Sequence, residues 1–292
     1  MPPERRTGER YGARPSGTAP PGIGPSAAAA RGAGKEPSGP IPGAQGDFRS
    51  SPGPIAGKSG IRYFFLGEHV EPVLVFGASR GIGLELARHL REQGVRVVAM
   101  VRAESSIEHL KEVGVEVVRG DALEPRDVAA AFDALGPGGH VVSTLGGSLH
   151  QGPVVDFEGN VHVIDEAARR EVGRFVFVTS IGCGEMMPFM YDRIRAILGK
   201  IVEAKTRAEE HLVRTSLAWT IVRPGGLRSE PATGRGILSE DPEIHGFIHR
   251  ADVALLVARI LRDPATVGRK FAAIDSAFAK CVNPIEPFPL AE

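Results

Sequence analysis

An α/β fold built on a doubly wound parallel sheet is predicted by three features of this 292-residue chain. From residue 73 onward, short apolar runs alternate with amphipathic stretches, as when parallel strands carry helices on both faces. The first such unit is Val73-Leu-Val-Phe76, a turn holding Gly77, Gly81 and Gly83, and an apolar stripe through Ile82, Leu86 and Leu90. The first 60 residues are different material. Eleven of the 23 prolines fall between Pro2 and Pro54, among Gly, Ala, Ser and Arg, with no hydrophobic period. Such a segment buries too little apolar surface to offset chain entropy. The expected organisation is a disordered tail over 1–60 and a Rossmann-type single domain over 61–292, with substrate-pocket elements toward its C-terminal end.

The elements follow in order. Val73–Phe76 is continuously apolar because a parallel strand is buried on both faces. Its helix runs over about Ile82–Gln93, with Gly94 placed to end it before a second strand, Val95–Val101. Ser105–Val113 suits a short helix stopped by Gly114, and Val115–Arg119 is the third strand. Arg126–Leu135 is a helix halted by Gly136-Pro-Gly-Gly139. His140–Thr144 is the fourth strand, Asn160–Glu171 a helix and Arg174–Thr179 the fifth strand. A helix from roughly Gly199 to Thr215 leads to a sixth strand, Trp219–Val222. Ala251–Arg262 is the last helix and Phe271–Ile274 the final strand.

Composition narrows the function classes. Acidic and basic side chains number 35 each, which argues against nucleic-acid binding through bulk charge. No run of about 18 apolar residues is present, so no membrane span is expected. Cys183 and Cys281 stand far apart without metal-ligand companions, so no metal site is expected and reduced thiols in the cytoplasm are. The tail lacks the apolar core of a secretory signal. It carries arginines and few acids, so organelle targeting is the alternative to a cytoplasmic location. Monomer and homodimer fit the sequence equally.

Strand, glycine turn and helix together make a dinucleotide-phosphate site. The glycines let the backbone approach a pyrophosphate, and the helix N-terminus offers free N–H donors and partial positive charge. Gly77, Ser79, Arg80, Gly81, Ile82 and Gly83 are its candidate residues. The Gly-x-x-x-Gly-x-Gly spacing resembles the short-chain dehydrogenase/reductase superfamily, over roughly residues 72–275. Arg102 follows the second strand at the corner where an acid would grip the ribose of NAD, and no acid occurs until Glu104. Arg80 and Arg102 on one 2′-phosphate favour NADP, with Arg102 as a solvated strand-end charge the lesser alternative. The resemblance implies that Asp121, with Ala122, meets the adenine; an Asx-turn is the alternative. It places Leu145, Gly146 and Gly147 beside the cofactor ribose. Asn160 either caps its helix or faces the cofactor.

Ordinary members of that superfamily work with Ser, Tyr and Lys. Here Thr179-Ser180 closes the fifth strand, where the family serine lies, and Lys205 sits in the following helix. Four residues before Lys205, at the tyrosine position, stands Ile201, which can neither give nor take a proton. Tyr191 is the obvious substitute, but its fourth successor is Arg195, and it follows an apolar stretch, Met186-Met-Pro-Phe-Met190, that reads as a pocket wall or as plain packing. His150, His245 and His249 are further candidate acids, though a lone loop histidine is commonly just solvated.

The run Ser216-Leu-Ala-Trp-Thr-Ile-Val-Arg-Pro224-Gly225-Gly226-Leu227, with Ser180-Ile-Gly-Cys-Gly184 and Ile248-His-Arg-Ala-Asp-Val-Ala254, resembles an atypical branch of the superfamily. That branch includes biliverdin-reductase-B/flavin-reductase-like and NmrA-like NAD(P)H-binding proteins. The resemblance implies that Pro224–Leu227 lies against the nicotinamide and that Lys205 holds its ribose. It also implies two functions. One is an NADPH-dependent reductase passing hydride to a small planar acceptor, a flavin or quinone, that stabilises negative charge without a protein acid. The other is a non-catalytic NADP-binding regulatory or assembly protein. An isomerase is weaker, because it would need the tyrosine.

Overall fold

The computed structural model describes residues 71–147 and 152–291. The expected tail and the start of the domain at 61 lie outside the described residues, as does His150. The chain enters β1 (Val73–Phe76), turns into α1 (Gly81–Glu92) and returns through β2 (Val97–Val101). Then come α2 (Glu108–Glu112), β3 (Glu116–Arg119), α3 (Pro125–Leu135) and β4 (His140–Ser143). A π-helical turn over Val155–Gly159 runs directly into α4 (Asn160–Arg169), followed by β5 (Arg174–Val178). A 3-10 turn, Gly184–Phe189, precedes α5 (Asp192–Val213) and β6 (Trp219–Pro224). The last elements are β7 (Gly226–Arg228), β8 (Gly236–Ser239), β9 (Phe247–His249), α6 (Arg250–Ile260) and β10 (Arg269–Asp275).

Eight strands form one sheet in the order β3-β2-β1-β4-β5-β6-β10-β8. All are parallel except β8, which runs antiparallel to β10. The order steps outward from β1 to β3 on one side and from β4 onward on the other, so the strand sequence reverses between β1 and β4. The fold is therefore the doubly wound, Rossmann-like α/β domain that the sequence predicts.

Alternation along β1 divides the core. Val73 and Val75 pack with Ile82, Leu86 and Leu90 of α1 and with Val253, Val257 and Ile260 of α6. Leu74 and Phe76 face the other way, toward Phe132 of α3, Ile164 of α4 and Leu212 of α5. Each fully buried aliphatic or aromatic side chain contributes about 1.5–3 kcal/mol, so both helical layers are held by the same strand. Arg174 of β5 and Thr220 of β6 form a buried polar cluster with Thr266, at the end of the sheet remote from the cofactor turn.

Elements β2, α5 and β7 to β9 depart from expectation. β2 begins at Val97, because Val95 N–H is spent on the Leu90 carbonyl, closing the turn after α1. α5 begins at Asp192, well before Gly199. Gly199 is an interior helical residue, where an added Cβ would meet only Arg195 Cγ at 3.8 Å. The first two turns of α5 are solvent-exposed, so they carry no buried apolar period to betray them. Finally, β7, β8 and β9 are three or four residues long, too short for an alternation to show.

Candidate functional site

The strand-order reversal between β1 and β4 opens a cleft of about 320 Å³ at the carboxyl ends of the strands. Gly77, Ser79 and Arg80 line it from the turn after β1, and Arg102 from the end of β2. Asp121 and Ala122 line it from the end of β3, and Leu145, Gly146 and Gly147 from the end of β4. Nine candidate cofactor residues thus come to one cleft.

Two glycines are required by geometry. Gly77 has φ +83°, and a Cβ there would fall 2.7 Å from Thr144 Oγ1. A Cβ on Gly83 would fall 2.5 Å from the Gly77 carbonyl oxygen, so this glycine lets α1 close onto the turn. Arg80 precedes α1 without any side-chain cap, which leaves the first-turn N–H groups from Gly81 onward open to an anion. Ile82 turns its side chain into the core and offers only backbone. These features fit a dinucleotide pyrophosphate.

At the end of β2, Arg102 Nε lies 3.0 Å from Glu104 Oε1, with both side chains about half exposed. Glu104, the first acid after that corner, therefore competes with a ligand for Arg102. An exposed pair of this kind is worth at most about 1 kcal/mol, which a phosphate readily replaces. The bend itself is held by Arg119, whose guanidinium donates to the carbonyls of Arg102, Ala103 and Ser105. Arg250 is a further residue that sequence reasoning missed. Its side chain passes 3.6 Å from where a Gly81 Cβ would sit, beside the phosphate turn, and its guanidinium donates to Ser229 Oγ. The Ile248-to-Ala254 motif contained it, but nothing in a one-dimensional pattern says that the start of α6 returns to the start of α1.

Asp121 makes an Asx-turn: its Oδ1 accepts from Leu123 N–H, while Asp127 Oδ2 accepts from Asp121 N–H. Asn160 neither caps a helix nor faces the cleft. It is fully buried, its Oδ1 accepts from Ser143 Oγ at 2.6 Å, and its amide donates to the Val155 and Asp156 carbonyls. Asn160 thus ties the end of the π-helical turn to Ser143 of β4, a link which no sequence signal announced.

Lys205 lies under the loop after β4. Its Nζ donates to the Leu145 carbonyl at 2.9 Å and stands 3.0 Å from Asp156 Oδ1. Asp156 Oδ2 in turn accepts from Gly147 N–H. One buried ion pair therefore ties α5, the π turn and the glycine loop together. Ile201 is one turn earlier on the same helix.

The other predicted residues lie around this centre without lining the cleft. Thr179 Oγ1 donates to buried Glu209, so its hydroxyl is not directed at a ligand. Glu209 also pairs with Arg223 at 2.7 Å, and Arg223 reaches Glu185 on the 3-10 turn. Burial raises the Glu185 carboxyl, but the hydrogen bonds and charge of Arg223 prevail and hold it down to about 2. Ser180 is half-buried, and its carbonyl accepts from Cys183 N–H. The Pro224–Leu227 corner is pinned by backbone bonds: the Pro224 carbonyl accepts from Ile181, Gly225 donates to Ala273, and Gly226 donates to Gly246. Tyr191 is exposed at the start of α5, its ring 5.3 Å from that of His245. The apolar stretch before it divides: Met186 packs into a small core with Ile244 and Ile274, while Phe189 is exposed. His249 is buried beside Asp252 and Asp275.

Fold, switch-point cleft and glycine turn define a dinucleotide-binding protein of the oxidoreductase-like α/β class. Comparison with known proteins makes this specific: residues 77–264 match the NAD(P)H-binding family model, and the chain belongs to that family. A solved structure of ChuY, an anaerobilin reductase from Escherichia coli O157:H7, superposes with a TM-score of 0.65 at 36% identity, covering 73% of this chain and 99% of that one. The Bacillus subtilis protein YhfK, named as an uncharacterized sugar epimerase, is 32% identical over 206 residues, 68% of this chain and 92% of its own. The chloroplastic protein TIC 62 of Oryza sativa subsp. japonica is 26% identical over 243 residues, and the match spans 47% of its length. Among the described residues, no helix is long and apolar enough to cross a membrane.

Proposed function

We propose that this protein is an NADPH-dependent reductase whose acceptor is a planar, conjugated molecule such as a flavin or quinone. Bound NADPH would supply a hydride to the acceptor, which takes one proton from water to complete a two-electron reduction. The observation that carries this reading is the setting of Lys205. The side chain is fixed by Asp156 and Leu145 next to the cofactor loop, with N–H donors left to meet a ribose hydroxyl, yet the helical position one turn before it is Ile201. The site can orient a nicotinamide and lacks a proton donor there. Such a site suits an acceptor that carries the hydride-derived charge itself. Arg80 and Arg102 would hold the 2′-phosphate, with Arg250 beside the pyrophosphate turn. The identity to ChuY supports the reductase class.

A second reading, an NADP-binding protein without turnover, is favoured by the same missing donor and by the similarity to TIC 62. Single-turnover transfer from NADPH deuterated at C4 separates the two. The reductase oxidises the cofactor with a primary isotope effect when a flavin or quinone is supplied, the deuterium then exchanging from flavin N5 or hydroquinone oxygen into water, and places little deuterium on the carbon of an aliphatic ketone. Strong ketone reduction would point to an acid such as Tyr191, and no transfer to any acceptor would favour the second reading.

A further inference from the structure

A second cleft, of about 380 Å³, lies between Gly152-Pro153 and the first half of α5. Gly152 lines both clefts, so the two adjoin. Ile201, one helical turn from Lys205, and Ile197 give the second cleft an apolar side. Arg195 and Lys200 give it a cationic one, against a single acid, Glu203. Neither cation has an acidic partner within ion-pair distance among the described residues. Arg195 is also positioned: its guanidinium donates to the carbonyls of Met187 at 2.8 Å and Pro188 at 3.4 Å, and so is braced on the 3-10 turn. A long cationic side chain held by one edge, with its remaining N–H groups open beside a second unpaired cation, is suited to an oxyanion.

We infer that the acceptor reduced at this site carries an acidic oxyanion group, a carboxylate or a phosphate, and that Arg195 and Lys200 recognise it in the second cleft. The inference rests on the reductase reading for its acceptor, and on the second cleft alone for its anion. The apolar side formed by Ile197 and Ile201 receives the ring system, while the two cations take the acidic substituent. Specificity for charged over neutral acceptors then resides in the exposed half of α5, away from the cofactor phosphates.

The test uses matched flavins on the full-length protein at saturating cofactor, so that the cofactor arginines are occupied. FMN is compared with riboflavin, and 10-carboxymethylflavin with lumiflavin; the first pair reports phosphate recognition and the second carboxylate. Affinity is read by fluorescence quenching with NADP bound, and turnover by NADPH oxidation. The expected result is at least a tenfold preference for the acidic member of a pair, in affinity and in kcat/KM through KM. The preference should fall toward unity in Arg195→Gln/Lys200→Gln. Turnover without such a preference, or a preference that survives the double substitution, overturns this inference and leaves the reductase reading standing. Charge-dependent binding without turnover upholds the anion site and removes the reductase reading. Neither binding nor turnover removes both.

Discussion

The Lys205 ammonium lies 3.0 Å from Asp156 Oδ1, with the carboxylate fully buried and the lysine nearly so. A buried ion pair broken from one side leaves an uncompensated charge, at a cost of about 3–5 kcal/mol. Lys205→Met should therefore destabilise the fold by that amount, where a lysine serving only the cofactor would leave stability untouched. Asp156→Asn in the same chain should recover much of the loss. Urea unfolding of the single and double variants measures both, and a loss below about 1 kcal/mol for Lys205→Met would show that the pair is dispensable.

Cofactor choice depends on the basic rim at the ends of β1 and β2. NADPH should bind at least about tenfold more tightly than NADH, about 1–2 kcal/mol for charge-assisted bonds to a phosphate. Arg102→Ala should remove most of that preference and leave NADH affinity nearly unchanged. Fluorescence titration of both cofactors is decisive; equal affinities in the native protein would dismiss the assignment.

The two cysteines should differ sharply in reactivity. Burial, with the Glu209 charge added, pushes the Cys183 thiol up to about 12, while Cys281 is only partly covered. A disulfide reagent at neutral pH should label one thiol per chain in the native state, and peptide mapping should find it at Cys281. Rapid labelling of Cys183 would mean that the 3-10 turn opens readily.

Acid should release that turn. The Glu185 carboxyl sits near 2 in the folded protein against an ordinary value of 4.5, so its pairing with Arg223 stabilises the fold fully above about pH 4.5. The contribution declines as pH falls and is lost through about pH 2. The stability difference between the native protein and Glu185→Gln should accordingly be constant from neutral pH down to about 4.5 and close below it. A difference independent of pH would show that the pairing contributes through packing alone.

Much of this architecture was legible because burial writes a period into the chain. β1, α1 and the glycine turn announced themselves through Val73–Phe76 and the Ile82–Leu90 stripe, and nine residues named for the cofactor do share one cleft. What was illegible depends on contacts between distant segments. Asp156 sits among small and apolar neighbours without any motif, and only folding brings it to Lys205, 49 positions further on. Arg119 and Arg250 read as ordinary surface cations until β3 and α6 close beside the turns after β2 and β1. The start of α5 was hidden for the opposite reason: a helix that buries nothing leaves no pattern.

The π-helical turn at Val155–Gly159 bears on which length changes the gene can accept. A wide turn holds one residue more than an α-helical turn, and each residue in a helix rotates the chain by about 100°. Removing one of the three residues after Asp156 would let the segment relax into continuous α-helix and swing Asp156 away from Lys205, with no change to either side chain. A codon deletion at this point should thus be as damaging as losing the salt bridge outright. Descendants that keep the pair will vary in residue identity across the other four positions of the turn before they vary in number.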